Sequence, residues 1–198
     1  MSTVTTQTAA PPKRMTADDL LAMPDSGKGY ELVDGRLVEK AMGSKSSAVN
    51  RRTSTHLGNF VNENNLGEVF DSECGYQCFP HDPNRVRKPD VSFVRQGRLP
   101  DGEPPDGWFR VPPDLAVEVI SPKDRVQKLN EKLADYRSVA VPLVWIVDQK
   151  TRTVVVQTAG ESTQRLLQES DLLDGGDVLP GFSIKVAELF PPPGESKQ

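Results

Sequence analysis

Two apolar segments separated by a helical pattern constrain the fold more than any other feature of the sequence. Residues 115–120 (LAVEVI) and 143–148 (LVWIVD) have the nearly continuous apolar composition of strands that are covered on both faces. A helical pattern at about 124–138 lies between them, and this order predicts one βαβ unit. The sequence therefore predicts a central sheet in which 115–120 is an inner strand.

The remaining patterns place further strands and helices around this unit. A short helix is predicted to begin after an N-cap at Thr16 and to end at Pro24. Asp34-Gly35 separates the two predicted strands of a hairpin. The other predicted elements are a helix at about 46–64, strands near 68–72, 75–79, 90–94 and 153–158, and a last strand and helical turn within 178–190. This order predicts a mixed α/β (α+β) fold with a central mixed sheet and helices on its faces.

Size and composition predict one ordinary globular domain. The chain has 198 residues, 26% of them charged, and no internal repeat or linker, which predicts a single domain at 15–190 between disordered tails at 1–14 and 191–198. The net charge of −4 provides no global basic field for nucleic acid, so such binding would need a local patch. The sequence contains neither a membrane-spanning apolar run nor a secretory signal, and a cytoplasmic protein is expected.

The two cysteines are predicted to be free thiols. If the CGYQC segment is extended, Cys74 and Cys78 lie roughly 13 Å apart, beyond the reach of a disulfide bond. Two cysteines and two histidines are also too few and wrongly spaced for a structural zinc site.

A glutamate inside the most apolar strand needs a compensating partner. Glu118 would be costly to bury as an isolated carboxylate. Asp90 follows Pro89 at the start of another apolar strand, although Pro-Asp pairs are also common in turns. Lys132 lies on the apolar stripe of the next helix, where it either reaches Glu118 or extends to water. Glu31, in the first hairpin strand, is either solvated or part of the same site.

Two carboxylates on neighbouring strands and a nearby lysine form a chemically meaningful set. Carboxylate oxygens suit Mg²⁺, which retains several waters and accepts phosphate oxygens as further ligands. Such an ion lowers the pKa of a bound water and stabilises a leaving oxygen, and a lysine stabilises developing negative charge.

The order of these motifs resembles the PD-(D/E)XK nuclease superfamily, and more closely its Uma2 family of bacterial endonucleases. The matching segments are YELVDGRLVE, LGEVFDSECGYQC, RKPDVSFV, PDLAVEVISPKDR, EKLADYRSVAVPLVWIVD, TRTVVV and DVLPGFSIKVAELF, about four-fifths of the chain. The resemblance implies a restriction-endonuclease-like fold and a Mg²⁺-dependent endodeoxyribonuclease, with Mn²⁺ as a substitute ion. It also implies a DNA substrate, and a homodimer is plausible because cutting both strands requires two sites.

The same resemblance assigns roles to particular residues. Asp90 and Glu118 would be the metal-binding acids, with the carbonyl of Val119 as a further ligand. Lys132 would replace the lysine that the superfamily usually has two residues after the second acid, where this chain has Ile120. Glu31 would be an additional catalytic acid.

A second departure concerns the start of the long helix. Many relatives have a histidine there, whereas GSKSSAVNRR has none, so that Lys45, Ser46 or Ser47 replaces it or the role is missing. Basic residues on both sides of the proposed site are expected to contact phosphates. These residues are Lys45, Arg51, Arg52, Arg85, Arg87 and Lys88.

Three other interpretations fit the sequence. The first is a catalytically inactive nucleic-acid-binding module of the same fold. The second is a metal-dependent phosphoesterase acting on a non-DNA substrate. The third is an interaction scaffold in which Glu118 is simply paired with Lys132. Ile120 and the missing histidine favour the first of these.

Overall fold

A six-stranded mixed sheet forms the centre of the computed structural model, which describes residues 14–40, 43–120 and 126–192. The α-helices are α1 Ala17–Leu21, α2 Ser44–Glu63 and α3 Val126–Ser138. The strands are β1 Tyr30–Val33, β2 Arg36–Glu39, β3 Gly67–Phe70, β4 Val91–Arg95, β5 Leu115–Ile120, β6 Leu143–Asp148, β7 Thr153–Thr158, β8 Arg165–Leu167, β9 Leu172–Gly175 and β10 Leu179–Lys185. The central sheet has the order β3-β4-β5-β6-β7-β8, while β1–β2 and β9–β10 form separate antiparallel pairs.

The predicted βαβ unit is confirmed. β5 and β6 pair in parallel, with Glu118 opposite Ile146, and α3 lies between them in the chain. The other neighbours in the sheet pair antiparallel, and the strand order places β5 and β6 in the middle. A mixed α+β fold with a central mixed sheet is therefore confirmed.

The side chains of β5 alternate between two apolar layers. Val117 and Val119 belong to the layer that includes the buried side of α2, whereas Ala116 packs with Tyr136 of α3. Because side chains two residues apart in a strand share a face, Glu118 points to the same side as Ala116. Its carboxylate therefore faces α3.

The first hairpin is attached to the segment that precedes β4. Asp34 and Gly35 have φ values of 50° and 71°, the left-handed backbone that an Asp-Gly hairpin turn requires. On the other side of β1, the N–H of Leu32 donates to the carbonyl oxygen of Val86 at 3.0 Å, and the N–H of Val86 donates back at 2.9 Å. These bonds hold Glu31 next to the central sheet.

Two local predictions differ from the structure. The strand at 75–79 is wrong, because only Tyr76 forms isolated bridges there, to two separate loop segments. A Cβ atom on Gly75 would lie 2.3 Å from the Trp108 ring, so packing against a loop shapes this segment. The edge strands β8 and β9 were not predicted. Each has an exposed leucine, Leu166 in β8 and Leu172 in β9, so apolar residues do not mark a buried face in these strands.

The thiol prediction is confirmed. Cys74 and Cys78 are free, and burial raises the pKa of each to about 12, so both are protonated at neutral pH. Residues 1–13 and 193–198 of the predicted tails lie outside the described residues, as does the start of the helix predicted from 124. Among the described residues, no helix is both long and apolar enough to cross a bilayer.

Candidate active site

A cavity of about 260 Å³ opens beside the end of β5, between α3 and the first hairpin. Its lining includes all four residues that the sequence predicted to be catalytic, together with Val119. These are Glu31, Asp90, Glu118, Val119 and Lys132. Two lysines that were not predicted also line the cavity, Lys40 and the exposed Lys128. The chain thus brings acids from three separate segments to one place.

Glu118 is held by two donors from α3. The ammonium of Lys132 donates to Oε2 at 2.7 Å, and the hydroxyl of Tyr136 donates to Oε1 at 2.6 Å. Lys132 and Tyr136 are four residues apart, which places them on the same side of a helix. The face of β5 and the face of α3 therefore meet at this carboxylate.

Glu31 shares the same lysine. Its Oε1 lies 3.0 Å from the ammonium of Lys132 and accepts from the backbone N–H of Lys88 at 2.9 Å, and its Oε2 accepts from Arg87 at 3.0 Å. Lys132 consequently bridges the acids of β1 and β5. This geometry excludes the solvated position for Glu31 and the extension to water for Lys132.

Asp90 completes the acidic side of the cavity. Its Oδ2 accepts from the backbone N–H of Val119 at 2.9 Å, which fixes it beside the residue that follows Glu118. Its Oδ1 lies 3.1 Å from the ammonium of Lys40, which directly follows β2. The carboxylates of Asp90 and Glu118 therefore converge, as the sequence predicted.

The two glutamates differ in acidity because their surroundings differ. Burial alone raises the pKa of Glu31, but the charges of Lys132, Arg87 and Lys40 outweigh it and lower the value to about 2. Burial also raises the pKa of Glu118, and the neighbouring charge of Asp90 adds to this effect against the opposing charge of Lys132. Glu31 is thus a permanent anion at neutral pH, whereas the ionised form of Glu118 depends on nearby cations.

Lys132 is a permanent cation. Burial lowers the pKa of its ammonium, but the carboxylates of Glu118 and Glu31 raise it further, and the net effect is a pKa above the ordinary value. The amine is therefore protonated at neutral pH, and it acts through charge and hydrogen-bond donation rather than as a proton acceptor.

A second layer of charge supports Glu31. Arg87 is buried and pairs with Glu31 at 3.0 Å and with Asp135 of α3 at 2.7 Å. Arg85 pairs with Asp135 at 2.5 Å and with Asp34 of the hairpin turn at 2.6 Å. These pairs connect the hairpin to α3 across the segment that precedes β4.

The predicted phosphate contacts differ in accessibility. Lys45 and Arg51 are exposed on α2, and Arg52 is half-buried there. Arg85 and Arg87 are engaged by the acids described above. Only 1% of Lys88 is exposed.

The ammonium of Lys88 faces inward. It donates to the carbonyls of Ser26 and Gly27 and lies 5.2 Å from the centre of the Trp108 ring. In this arrangement Arg87 and Lys88 stabilise the fold. Among the described residues, no ion pair is formed by the remaining cations of the predicted set that solvent reaches, which are Lys45, Arg51 and Arg52.

The donor set determines what kind of metal the cavity accommodates. Within residues 14–40, 43–120 and 126–192, no group of three or more His, Cys, Asp and Glu side chains is arranged to hold a metal ion. Asp90 and Glu118 nevertheless present two carboxylates to one cavity, and Val119 lies between them. Mg²⁺ is commonly bound through one or two carboxylates and several waters, so this set fits Mg²⁺ rather than a closed structural site.

Sequence reasoning missed several functional neighbours. Tyr136 belongs to the apolar stripe of the helix and gave no sign of its contact with Glu118, although its spacing from Lys132 places both on one face of the helix. Asp135 and the Arg87–Glu31 pair gave no periodic signal. Lys40 lies beside a short hairpin and had no signal that separates it from an exposed lysine.

Comparison with known proteins identifies the family and the fold of the chain. A family model, Uma2, described as "Putative restriction endonuclease", matches residues 17–187. The chain belongs to the Uma2 family. A crystal structure titled as "a putative nuclease belonging to DUF820" from Anabaena variabilis matches with a TM-score of 0.76 and 20% identity, over 89% of this chain and 97% of that chain. The predicted nuclease-type fold is therefore confirmed. A separate comparison with curated proteins found no match.

The structure describes both places where this sequence departs from the pattern that its resemblance to nucleases implies. Ile120 lines the cavity at the place of the usual lysine, and the ammonium of Lys132 enters the same cavity from α3. At the start of α2, Lys45 and Ser47 are exposed, while the hydroxyl of Ser46 is buried and accepts from Gln149 at 3.0 Å. Lys45 and Ser47 are thus the more accessible residues at the place of the histidine found in relatives.

Proposed function

We propose that this Uma2 protein is a Mg²⁺-dependent endodeoxyribonuclease that hydrolyses phosphodiester bonds with a metal-activated water. The observation that carries the proposal is the convergence of Asp90, Glu118 and Lys132 on one cavity beside β5. Family membership supports a nuclease, and the family's description as a restriction endonuclease supports a DNA substrate. The choice of Mg²⁺ rests on the two carboxylates of the site.

Asp90 and Glu118 would hold the ion, with the carbonyl of Val119 as a further ligand. Once bound, Mg²⁺ lowers the pKa of a water and offsets negative charge on the phosphate. The backbone N–H of Val119 and the hydroxyl of Tyr136 fix the two carboxylates, so their positions do not depend on the ion. The ligands are therefore oriented in advance.

Lys132 and Glu31 have different roles in this proposal. Lys132 is protonated at neutral pH, so its ammonium would stabilise the negative charge that develops on the phosphate as the water oxygen bonds to phosphorus and the bond from phosphorus to the leaving oxygen breaks. Solvent would take the proton that the attacking water loses and supply the proton that the leaving oxygen gains. The pKa of Glu31 is lowered to about 2, so its carboxylate is a weak base and poorly suited to take a proton from water at neutral pH. It acts by holding Lys132 and Arg87 in position.

The exposed cations of α2 would contact the DNA backbone. Lys45, Arg51 and Arg52 lie on one helix whose first residue, Ser44, closely follows Lys40 in the chain. Phosphate contacts of this kind position a duplex without reading its sequence. A homodimer would supply the two sites that cleavage of both strands requires.

A plasmid assay tests the proposal. Supercoiled DNA is incubated with purified protein and Mg²⁺, Mn²⁺ or EDTA, beside Asp90→Ala and Glu118→Gln proteins purified in the same way. We expect metal-dependent nicking by the wild type and none by the variants. Equal nicking by the variants indicates a contaminating nuclease, and hydrolysis of simple phosphodiesters without DNA cleavage indicates a phosphoesterase.

A second candidate function is binding of nucleic acid without cleavage. The specific observation in its favour is that Lys40 and Lys132 already neutralise the acids that would bind the metal. This candidate predicts salt-sensitive DNA binding that neither Mg²⁺ nor Mn²⁺ converts into cleavage, with the same affinity for Asp90→Ala and the wild type.

A further inference from the structure

Lys40 has the contacts of a cation that is bound by oxygen ligands. Its ammonium donates to the carbonyl oxygen of Lys88 at 2.6 Å and to that of Ser72 at 3.3 Å, and it lies 3.1 Å from Oδ1 of Asp90. An ammonium has three donors, and two of them are used by these carbonyl oxygens, while the carboxylate of Asp90 lies within ion-pair distance. The side chains of Lys40 and Asp90 are each only 11% exposed, so the pair is not a solvated surface contact.

We propose that Lys40 is a tethered cation that occupies Asp90 in the metal-free protein and thereby sets the affinity of the cavity for a divalent ion. The inference rests on the proposed function, because it assigns Asp90 to the metal. It makes Lys40 a positioning residue that determines when the site accepts its ion, rather than a group that reacts with substrate.

The charge balance of the cavity supports this role. Three buried carboxylates, those of Glu31, Asp90 and Glu118, are paired with the cations of Lys132, Arg87 and Lys40. The other charged side chains of the lining, Glu39, Glu131 and Lys128, are exposed, so solvent screens them more strongly. A divalent ion would therefore add two positive charges next to carboxylates that the protein's own cations already neutralise. When the ion enters, either one of the protein's cations moves away, or the repulsion between that cation and the ion reduces the binding free energy.

Of these three paired cations, Lys40 is the one whose displacement costs least in carboxylate contacts. Lys132 bridges Glu118 and Glu31, and Arg87 bridges Glu31 and Asp135. Among the described residues, Lys40 is paired with one carboxylate, that of Asp90, and its other two partners are neutral carbonyl groups.

Both outcomes for Lys40 weaken metal binding. If the ammonium remains on the two carbonyls, it repels an ion at Asp90 over a few ångströms in a partly desolvated cavity. If it leaves, its three contacts are lost. Removing this charge should therefore tighten metal binding, which is the opposite of what loss of a purely structural contact would do.

The cavity contains a matched control. Lys128 lines the same cavity and carries the same charge, but its side chain is exposed. Lys128→Met therefore changes the net charge of the cavity equally without removing the ion pair with Asp90. Salt at physiological strength screens the exposed position far more than the buried one.

Calorimetric titration of the full chain with Mn²⁺ and with Mg²⁺ tests the proposal. We expect the Kd of Lys40→Met to fall by on the order of tenfold relative to the wild type, since each 1.4 kcal/mol of removed repulsion corresponds to a factor of ten. The Kd of Lys128→Met should remain within about threefold of the wild-type value. Lys40→Gln is a second variant that retains donors for the carbonyls, and it should show the same direction.

Thermal melting provides an independent readout. Without metal, Lys40→Met should melt below the wild type, because the largely buried carboxylate of Asp90 then lacks its ammonium partner and lies beside Glu118. Saturating Mn²⁺ should raise its Tm by more than that of the wild type, since a tighter ligand stabilises the native state more at the same concentration. Asp90→Ala in the Lys40→Met background should abolish this gain.

The outcomes separate this inference from the proposed function. Metal binding by the wild type with equal or weaker binding by Lys40→Met and Lys40→Gln overturns the role of Lys40 and leaves the metal site intact. Absence of binding in all proteins overturns both. Binding by Lys40→Met but not by the wild type supports the role of Lys40 most strongly.

Discussion

Lys132 and Glu118 form a 2.7 Å ion pair between the helix and the strand of one βαβ unit. The pair explains why a glutamate is tolerated in the most apolar strand of the chain. It also shows how an ammonium enters the cavity although Ile120 occupies the strand position where the superfamily usually has its lysine. The same chemical group reaches this place from α3 instead of from β5.

Replacing Lys132 is expected to reduce both stability and cleavage. Lys132→Met leaves the carboxylates of Glu118 and Glu31 buried without their shared cation, and breaking a buried pair in this way costs about 3 kcal/mol or more. Loss of the charge near the phosphate should lower the cleavage rate by on the order of 10²-fold. Urea unfolding and plasmid nicking measure the two effects.

A double variant separates the structural from the catalytic effect of Lys132. Lys132→Met with Glu118→Gln removes the charges of both partners, so it should recover part of the lost stability and none of the activity. Lys128→Met, which changes an exposed lysine of the same cavity, should be nearly neutral in both assays. Full cleavage by Lys132→Met would contradict the proposed role.

Removing the hydroxyl of Tyr136 should disturb the site while leaving the core intact. Tyr136→Phe keeps the ring of this α3 residue in its apolar layer against β5 but leaves Oε1 of Glu118 without its donor at 2.6 Å. A buried acceptor that loses its partner costs about 1–3 kcal/mol. We expect a loss of this size in urea unfolding, together with slower cleavage.

The buried pair Tyr76–Ser92 supplies the control for this experiment. The hydroxyl of Tyr76 donates to Ser92 at 2.8 Å, and Tyr76 does not line the cavity. Tyr76→Phe should therefore cost a similar amount of stability and leave cleavage per folded molecule unchanged. An equal loss of activity in both variants would mean that Tyr136 acts only through stability.

The sequence predicted the parts of this site that follow strand and helix periodicity. The strand–helix–strand order and the apolar stripe of 124–138 allowed Lys132 either to reach Glu118 or to extend to water, and the structure shows the contact with Glu118. The approach of Glu31 was less predictable, because it depends on the pairing of Leu32 with Val86, two residues that are far apart in the chain.

Lys40 could not be predicted for the same physical reason. Two of its three partners are backbone carbonyls of Ser72 and Lys88, and a sequence pattern contains no information about where such carbonyls point. The misassigned segment at 75–79 is similar, since Gly75 packs against a distant tryptophan. What periodicity missed were contacts between irregular segments.

The acidity of Glu31 predicts a specific loss of stability in acid. Its pKa is lowered from 4.5 in the unfolded chain to about 2 in the fold. An acid with a lowered pKa stabilises the native state fully above its unfolded pKa, and this contribution is lost as the pH falls through the folded pKa. The shift corresponds to about 3 kcal/mol, which should disappear between about pH 4.5 and pH 2.

Urea unfolding of metal-free protein at pH 7, 4, 3 and 2.5 measures this dependence. Glu31→Gln should be less stable at pH 7, because Arg87 and Lys132 lose a shared anion. Its stability should change less than that of the wild type across the acid range. Identical slopes for the two proteins would show that Glu31 is not ionised below its ordinary pKa in the fold.

The salt dependence of DNA binding tests whether α2 faces the backbone. Each phosphate contact that is removed should reduce the slope of log Kobs against log[salt] by about 0.9 on duplex DNA. Lys45→Ala and Arg51→Ala should each show this reduction and weaken binding similarly on unrelated sequences, since phosphate contacts do not read bases. Lys185→Ala on β10 removes an exposed positive charge from another part of the surface and is the control. Binding is measured in Ca²⁺ to avoid cleavage, and unchanged slopes for both α2 variants would exclude this helix as the contact surface.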